Sequence, residues 1–136
     1  MAKFKGYLIK LGDTVFPNEY IAFDSYKSTD NQRTELKAYR NSSNNLIRQT
    51  SPNFKTKVEF NTISGLKLAD MEKIKSIVDK ATINNTERKV KVTYWNNEDL
   101  MYEQMRAYMP DIEHQIKKIT KDDVIYNSKR LAFIQY

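Results

Sequence analysis

The 136-residue chain has a mass of 16.1 kDa, is 40% hydrophobic and 29% charged, and carries a formal net charge of +6. With no cysteine, one histidine and three glycines, it excludes thiolate chemistry, disulfide frameworks and cysteine-ligated zinc. Any Ser-His-Asp site is confined to His114, and phosphate-cradling glycine loops are ruled out. The length suits one domain, residues 1–136, with a core that needs neither metal nor cross-link.

The opening segment, MAKFKGYLIKLGD, has an apolar run of only Tyr7-Leu8-Ile9. That is too short for a signal-peptide core or a membrane span, so a cytosolic product without a membrane segment is expected. Tyr7, Ile9 and Leu11 alternate at period two, the pattern of a half-buried strand. Ile21 and Phe23, then Leu36 and Ala38, repeat it. The segment 20–40 is β-prone around a polar centre, Ser28-Thr29-Asp30-Asn31-Gln32, which predicts a projecting hairpin with its apex there. Val58 and Phe60 alternate in the next strand.

After the break at Ser64-Gly65 the period changes. Leu68, Met71, Ile74, Ile77, Val78 and Ala81 are spaced three to four apart, predicting an amphipathic helix over 68–81. Asp70 and Glu72 in its first turn and Lys80 near its end match the helix dipole. Alternation returns at Val90, Val92 and Tyr94, and in the final strand, where Leu131 and Phe133 lie opposite Ala132, Ile134 and Tyr136. Pairs of asparagine (Asn44-Asn45, Asn84-Asn85, Asn96-Asn97) take the turns that scarce glycine leaves open, because Asn tolerates positive φ. The whole reads as a mainly β (α+β) chain, an antiparallel sandwich or partial barrel with one flanking helix.

Few residues suggest chemistry. His114 lacks a positioned partner for base catalysis and reads as a surface or strand-edge residue. Glu98-Asp99 and Asp122-Asp123 read as turn residues, since adjacent carboxylates in a strand point to opposite faces. Aromatics interleaved with cations, as in Arg88 to Trp95, suit a half-buried strand, a subunit interface or a base-stacking platform. The positive excess permits polyanion binding without requiring it.

The order of features has a parallel. A short first strand leads through Phe16-Pro17-Asn18 to the long hairpin. Asn44-Asn45-Leu46-Ile47-Arg48 follows, then Lys55 to Phe60 feeding the helix, Val90 to Tyr94, Tyr102 to Pro110, and a terminal strand Leu131 to Tyr136. This order resembles small tail or baseplate proteins of phages and prophages of Gram-positive bacteria, and through them the tail-tube module. The resemblance implies a non-enzymatic virion subunit, located in the tail and made in the host bacterial cytoplasm. It implies a homo-oligomeric ring, a hexamer, with neighbouring tail proteins as partners and DNA as a transient passenger through the channel. Neither cofactor, metal, membrane nor small-molecule ligand is implied.

In that module a long hairpin joins neighbouring subunits, a role that falls here on Tyr20, Phe23, Tyr26, Leu36, Tyr39 and Arg40, with Arg48 beyond them. Tail channels are expected to be acidic, whereas this chain is basic. Either its acidic residues gather on one face or it is an adaptor or baseplate ring. The alternative is a single-stranded nucleic-acid-binding β-barrel that uses Lys89, Lys91, Tyr94 and Trp95.

Overall fold

Alternating residues become ladders throughout the computed structural model, which describes residues 4–136. The strands are β1 (Ile9–Leu11), β2 (Thr14–Val15), β3 (Lys27–Gln32), β4 (Glu35–Arg40), β5 (Leu46–Thr50) and β6 (Lys55–Asn61). Helix α1 (Leu68–Ala81) follows, then β7 (Thr82–Asn84), β8 (Lys89–Asn96), β9 (Met101–Tyr108), β10 (Ile116–Ile119), β11 (Val124–Tyr126) and β12 (Arg130–Gln135). The main sheet is antiparallel in the order β2-β1-β8-β9-β12-β6-β3, with β7 also on β8. Two small hairpins, β4–β5 and β10–β11, stand outside it.

One face of this sheet is the core. Val58 and Phe60 of β6, Val90, Val92 and Tyr94 of β8, Met105 and Ala107 of β9, and Leu131 and Phe133 of β12 all turn inward. Phe16, Tyr26, Phe60 and Phe133 form a chain of ring contacts at 5.2 to 6.3 Å. Helix α1 covers this face as its spacing predicts: Ile74, Ile77 and Ala81 are buried and Met71 and Val78 pack beside them, while Leu68 stays exposed.

The helix start is held by carboxylates. Lys67 N–H donates to Asp70 at 3.2 Å and Leu68 N–H to Asp123 at 3.0 Å, supplying acceptors to N–H groups that have none within the helix. At the other end Gly12, at φ +59°, lies so close that an added Cβ would sit 3.3 Å from Ala81. Only glycine meets both demands without strain.

The sheet curls without closing. Its edge strand β3 meets the β8–β9 turn through side chains, not a ladder. Asn97 N–H donates to Asp30 at 2.9 Å, Asn97 Nδ2 to Ser28 Oγ at 2.7 Å, and Asn31 Nδ2 to Asp99 at 3.2 Å. Arg33 grips Glu98 with both guanidinium nitrogens, at 3.2 and 2.9 Å. Within the curl, fully buried Asn96 donates to Glu103 at 3.2 Å, and Tyr94 donates to Thr56 Oγ1 at 3.1 Å. The result is a partial barrel with a polar seam.

This seam explains where the projecting hairpin lies. Ser28 to Gln32 is not an apex but strand β3, paired with β6 (Lys27↔Glu59, Thr29↔Lys57). Its polar side chains serve the seam and mimic a loop in sequence. The projecting hairpin is instead β4–β5, with Tyr39 opposite Ile47 and Arg40 opposite Leu46. Its apex is Asn41–Asn45, where Asn44 takes φ +62° and Asn41 Oδ1 accepts from the N–H groups of Ser43 and Asn45. Residues 21–26, expected as strand, make one isolated bridge (Ile21↔Thr62) and a turn. Glu98-Asp99 and Asp122-Asp123 do occupy turns.

Burial, and next to it Asp99, pushes the Glu103 carboxyl above its ordinary value. A raised carboxyl favours the fold while protonated, an advantage present below its unfolded pKa and lost as pH rises through the folded one. Glu103→Gln is therefore expected to raise the urea midpoint at pH 7.5, with a gain that shrinks toward pH 4. A lower midpoint at pH 7.5 would contradict this account of the seam.

Candidate assembly surfaces

The β4–β5 hairpin packs its strands against each other and not against the core. Every residue of β4 is exposed, and Ile47 alone in β5 is half-buried. Leu36 is 66% exposed, and Tyr39 and Leu46 are about half exposed. The polar residues are committed locally: Arg48 pairs with Glu35 at 2.7 Å, Arg40 donates to the Asn44 carbonyl at 3.0 Å, and Lys37 lies over the Tyr39 ring at 5.3 Å. The root is firm. Ser51 N–H donates to the Thr34 carbonyl at 2.8 Å, and Arg33, already bound to Glu98, stacks on Phe54 at 4.8 Å.

The interface residues expected from sequence therefore divide. Leu36, Tyr39, Arg40 and Arg48 share the hairpin. Tyr20 is buried, its hydroxyl donating to Asp70 at 3.0 Å and its ring edge-on to Phe16. Burial first, then Asp70, raises its pKa. Tyr26 is half-buried, stacked on Phe60, and its pKa too is raised by burial. Both belong to the body. Phe23, 94% exposed, stands alone in the turn before β3. Leu46, opposite Arg40 in the ladder, was missed because its apolar pair with Ile47 reads as the end of a turn.

The second surface is the sheet face opposite the core. Alternation and register place Lys10, Lys27, Lys55, Lys57, Lys89, Lys91, Arg106 and Arg130 on it. The carboxylate on the same strands, Glu59, is held by Arg130 at 2.6 Å, a hydrogen bond that lowers its pKa. The basic excess of the chain is thus gathered on one face.

Of the four residues of the nucleic-acid alternative, Lys89, Lys91 and Trp95 lie here, but Tyr94 points the other way, into the core. Trp95 is part of an aromatic cluster with Phe4 (5.3 Å) and Tyr102 (5.1 Å). Lys89 instead sits over the Tyr136 ring at 4.5 Å. Among the described residues no group of side chains is arranged to hold a metal ion, and no helix is long and apolar enough to cross a membrane.

Over residues 1–136 the sequence matches a family described as "Family of unknown function (DUF6711)". No curated protein matches it. The fold is similar to that of a chain in a structure described as "Tail of empty GTA particle computed with helical refinement, C6 symmetry". That match has a TM-score of 0.51 at 11% identity and covers 96% of this chain and 90% of the other. At such identity the two share a fold.

Because the hairpin's apolar side chains contact little of their own body, removing them costs the isolated chain little. The triple substitution Leu36→Ser, Tyr39→Ser and Leu46→Ser is expected to change unfolding free energy by no more than about 0.5 kcal/mol per site. Phe60→Ala in the core is expected to cost about 3–5 kcal/mol. Urea denaturation of the two variants at one pH measures both. A large loss in the triple variant would mean that the hairpin packs on its own body.

Proposed function

We propose that this chain, which belongs to that family of unknown function, is a non-enzymatic structural subunit of a phage-like tail that assembles into a ring, as a tube, adaptor or baseplate component. The observation that carries the reading is the β4–β5 hairpin, rigid at its root and, among the described residues, paired only within itself, so that the outer edges of both strands are open. Exposed strand edges beside apolar side chains are a liability for a soluble monomer and a ready template for another chain. A second copy that adds its own edge, or covers Leu36 and Leu46 on one face of the hairpin or Tyr39 on the other, removes that liability. Repeated around an axis, such a head-to-tail contact closes a ring. The shared fold with a chain of a C6-symmetric tail supports six copies as the closure. The site is then the virion tail, with neighbouring tail proteins above and below.

The cationic sheet face bears on where DNA passes. Eight cations facing a channel would hold phosphates by counterion release, so free passage requires this face to turn away from the channel. Replacing residues 36–49 by a Gly-Gly link is expected to leave a folded monomer that forms no rings by light scattering and negative-stain imaging. Rings that persist without the hairpin would overturn its role.

A second reading, single-stranded nucleic-acid binding, is favoured by the clustering of Lys89, Lys91 and Arg106 on the outer face. Binding there would weaken with salt, with a slope of log K against log salt of roughly −0.7 per phosphate contacted. For a tail subunit, oligonucleotide binding at 150 mM salt is expected to be undetectable by fluorescence anisotropy. Tight binding lost in Lys91→Glu/Arg106→Glu would favour the second reading.

A further inference from the structure

Between α1 and the start of β8 lies a cavity of about 510 Å³, far from the β8–β9 turn and the hairpin root. Its apolar wall includes Met71, Ile74, Val78, Met109, Ile112 and Leu131. Into this wall is set Lys129, only 4% exposed, just before β12. The contacts of its ammonium are all neutral: Met71 Sδ at 2.7 Å, His114 Nδ1 at 3.3 Å and the Tyr126 ring at 4.6 Å. Each of those three residues also lines the cavity. Among the described residues Lys129 makes no ion pair, and the carboxylates on the wall, Glu72 and Asp79, lie on the helix, with Asp79 taken by Lys75 at 2.7 Å.

A buried ammonium without an anion is costly. Nothing in the fold requires one here, since Lys129 is held in place by its backbone: its N–H donates to Thr62 Oγ1 at 3.1 Å and its carbonyl accepts from Thr62 N–H at 2.8 Å. Burial lowers its pKa, as the same cause together with Lys129 and Arg88 lowers that of His114. Arg88, in the turn before β8 at φ +54°, and Lys75, paired with Asp79, are the other cations of the lining.

We propose that this cavity binds a small organic carboxylate with an apolar tail, the carboxylate on Lys129 and the tail along Ile74, Met109 and Leu131. One buried cation suits a single negative charge, since the other charged residues of the lining are exposed (Glu72, Lys75 and Asp79) or half-buried (Arg88). This reverses the expectation from sequence of no small-molecule ligand, and it is independent of ring assembly.

Thermal unfolding of the purified chain with decanoate below its micelle concentration provides the test, with decanol and inorganic phosphate as probes of tail and charge alone. Decanoate is expected to raise the unfolding temperature in a dose-dependent way, and the other two to leave it near the ligand-free value. Lys129→Met is expected to abolish the decanoate shift while raising the ligand-free midpoint, since it removes a buried charge. Ile112→Trp, which fills the cavity from another wall, is expected to abolish the shift with Lys129 intact. Equal shifts with decanol, a shift with phosphate alone, no shift with decanoate, or a decanoate shift that survives in Lys129→Met would each overturn the proposal.

Discussion

A sheet that curls but does not close must satisfy its edges by other means, and much of this molecule follows from that constraint. Closing the barrel would pair every strand and leave no template for a partner. Here β3 runs along β6 on one side only, and on the other its side chains reach the β8–β9 turn. The seam is expensive chemistry for a small domain: fully buried Asn96, a raised Glu103, and an Asp30 oxygen, Oδ1, that finds no partner among the described residues. Buried polar groups cost free energy unless each is paired. What the seam provides is a fixed platform, because the strand that ends at Gln32 continues through Arg33, itself clamped on Glu98, directly into the hairpin.

That continuity links the interior to the surface. The core of Phe16, Phe60 and Phe133 fixes the curl, the curl brings β3 to the β8–β9 turn, and the turn anchors the root from which β4–β5 projects. A hairpin of two strands without a buried face is marginal by itself. A rigid root lowers the entropy lost when a partner orders it, since less freedom remains to lose. The opposite face of the sheet follows another logic. Its cations stand outside the core and outside the seam, so they set how the molecule meets charged surroundings and contribute little to holding the fold together.

How far the sequence foretold this depended on what each side chain was asked to do. Where burial alone set the pattern, the reading was accurate: α1 spans Leu68–Ala81 as its 3.6-residue period predicts, and Val90, Val92, Tyr94, Leu131 and Phe133 turn inward as their alternation predicts. Where inward residues are polar, the pattern inverts. Ser28, Asp30 and Asn31 point toward the seam, so in sequence β3 reads as a loop and the apex is expected at Ser28–Gln32 instead of Asn41–Asn45. That shift is also why Tyr20 and Tyr26, which pack on the body, read as interface residues in sequence. Tyr94 cannot act with Lys89 and Lys91, because a strand sends neighbours of opposite parity to opposite faces. Lys129 had no signature at all: beside Arg130 it reads as one more basic pair, and only packing reveals that one of the two is buried.

The central claim is that the exposed β4–β5 strands are covered by another copy of the chain. Amide hydrogen exchange over residues 35–50, compared between dilute monomer and the assembled form, tests it most directly. The account predicts fast exchange of the outward-facing amides in the monomer and strong protection on assembly, with residues 90–96 of the core unchanged. Equal exchange of residues 35–50 in both states would contradict it.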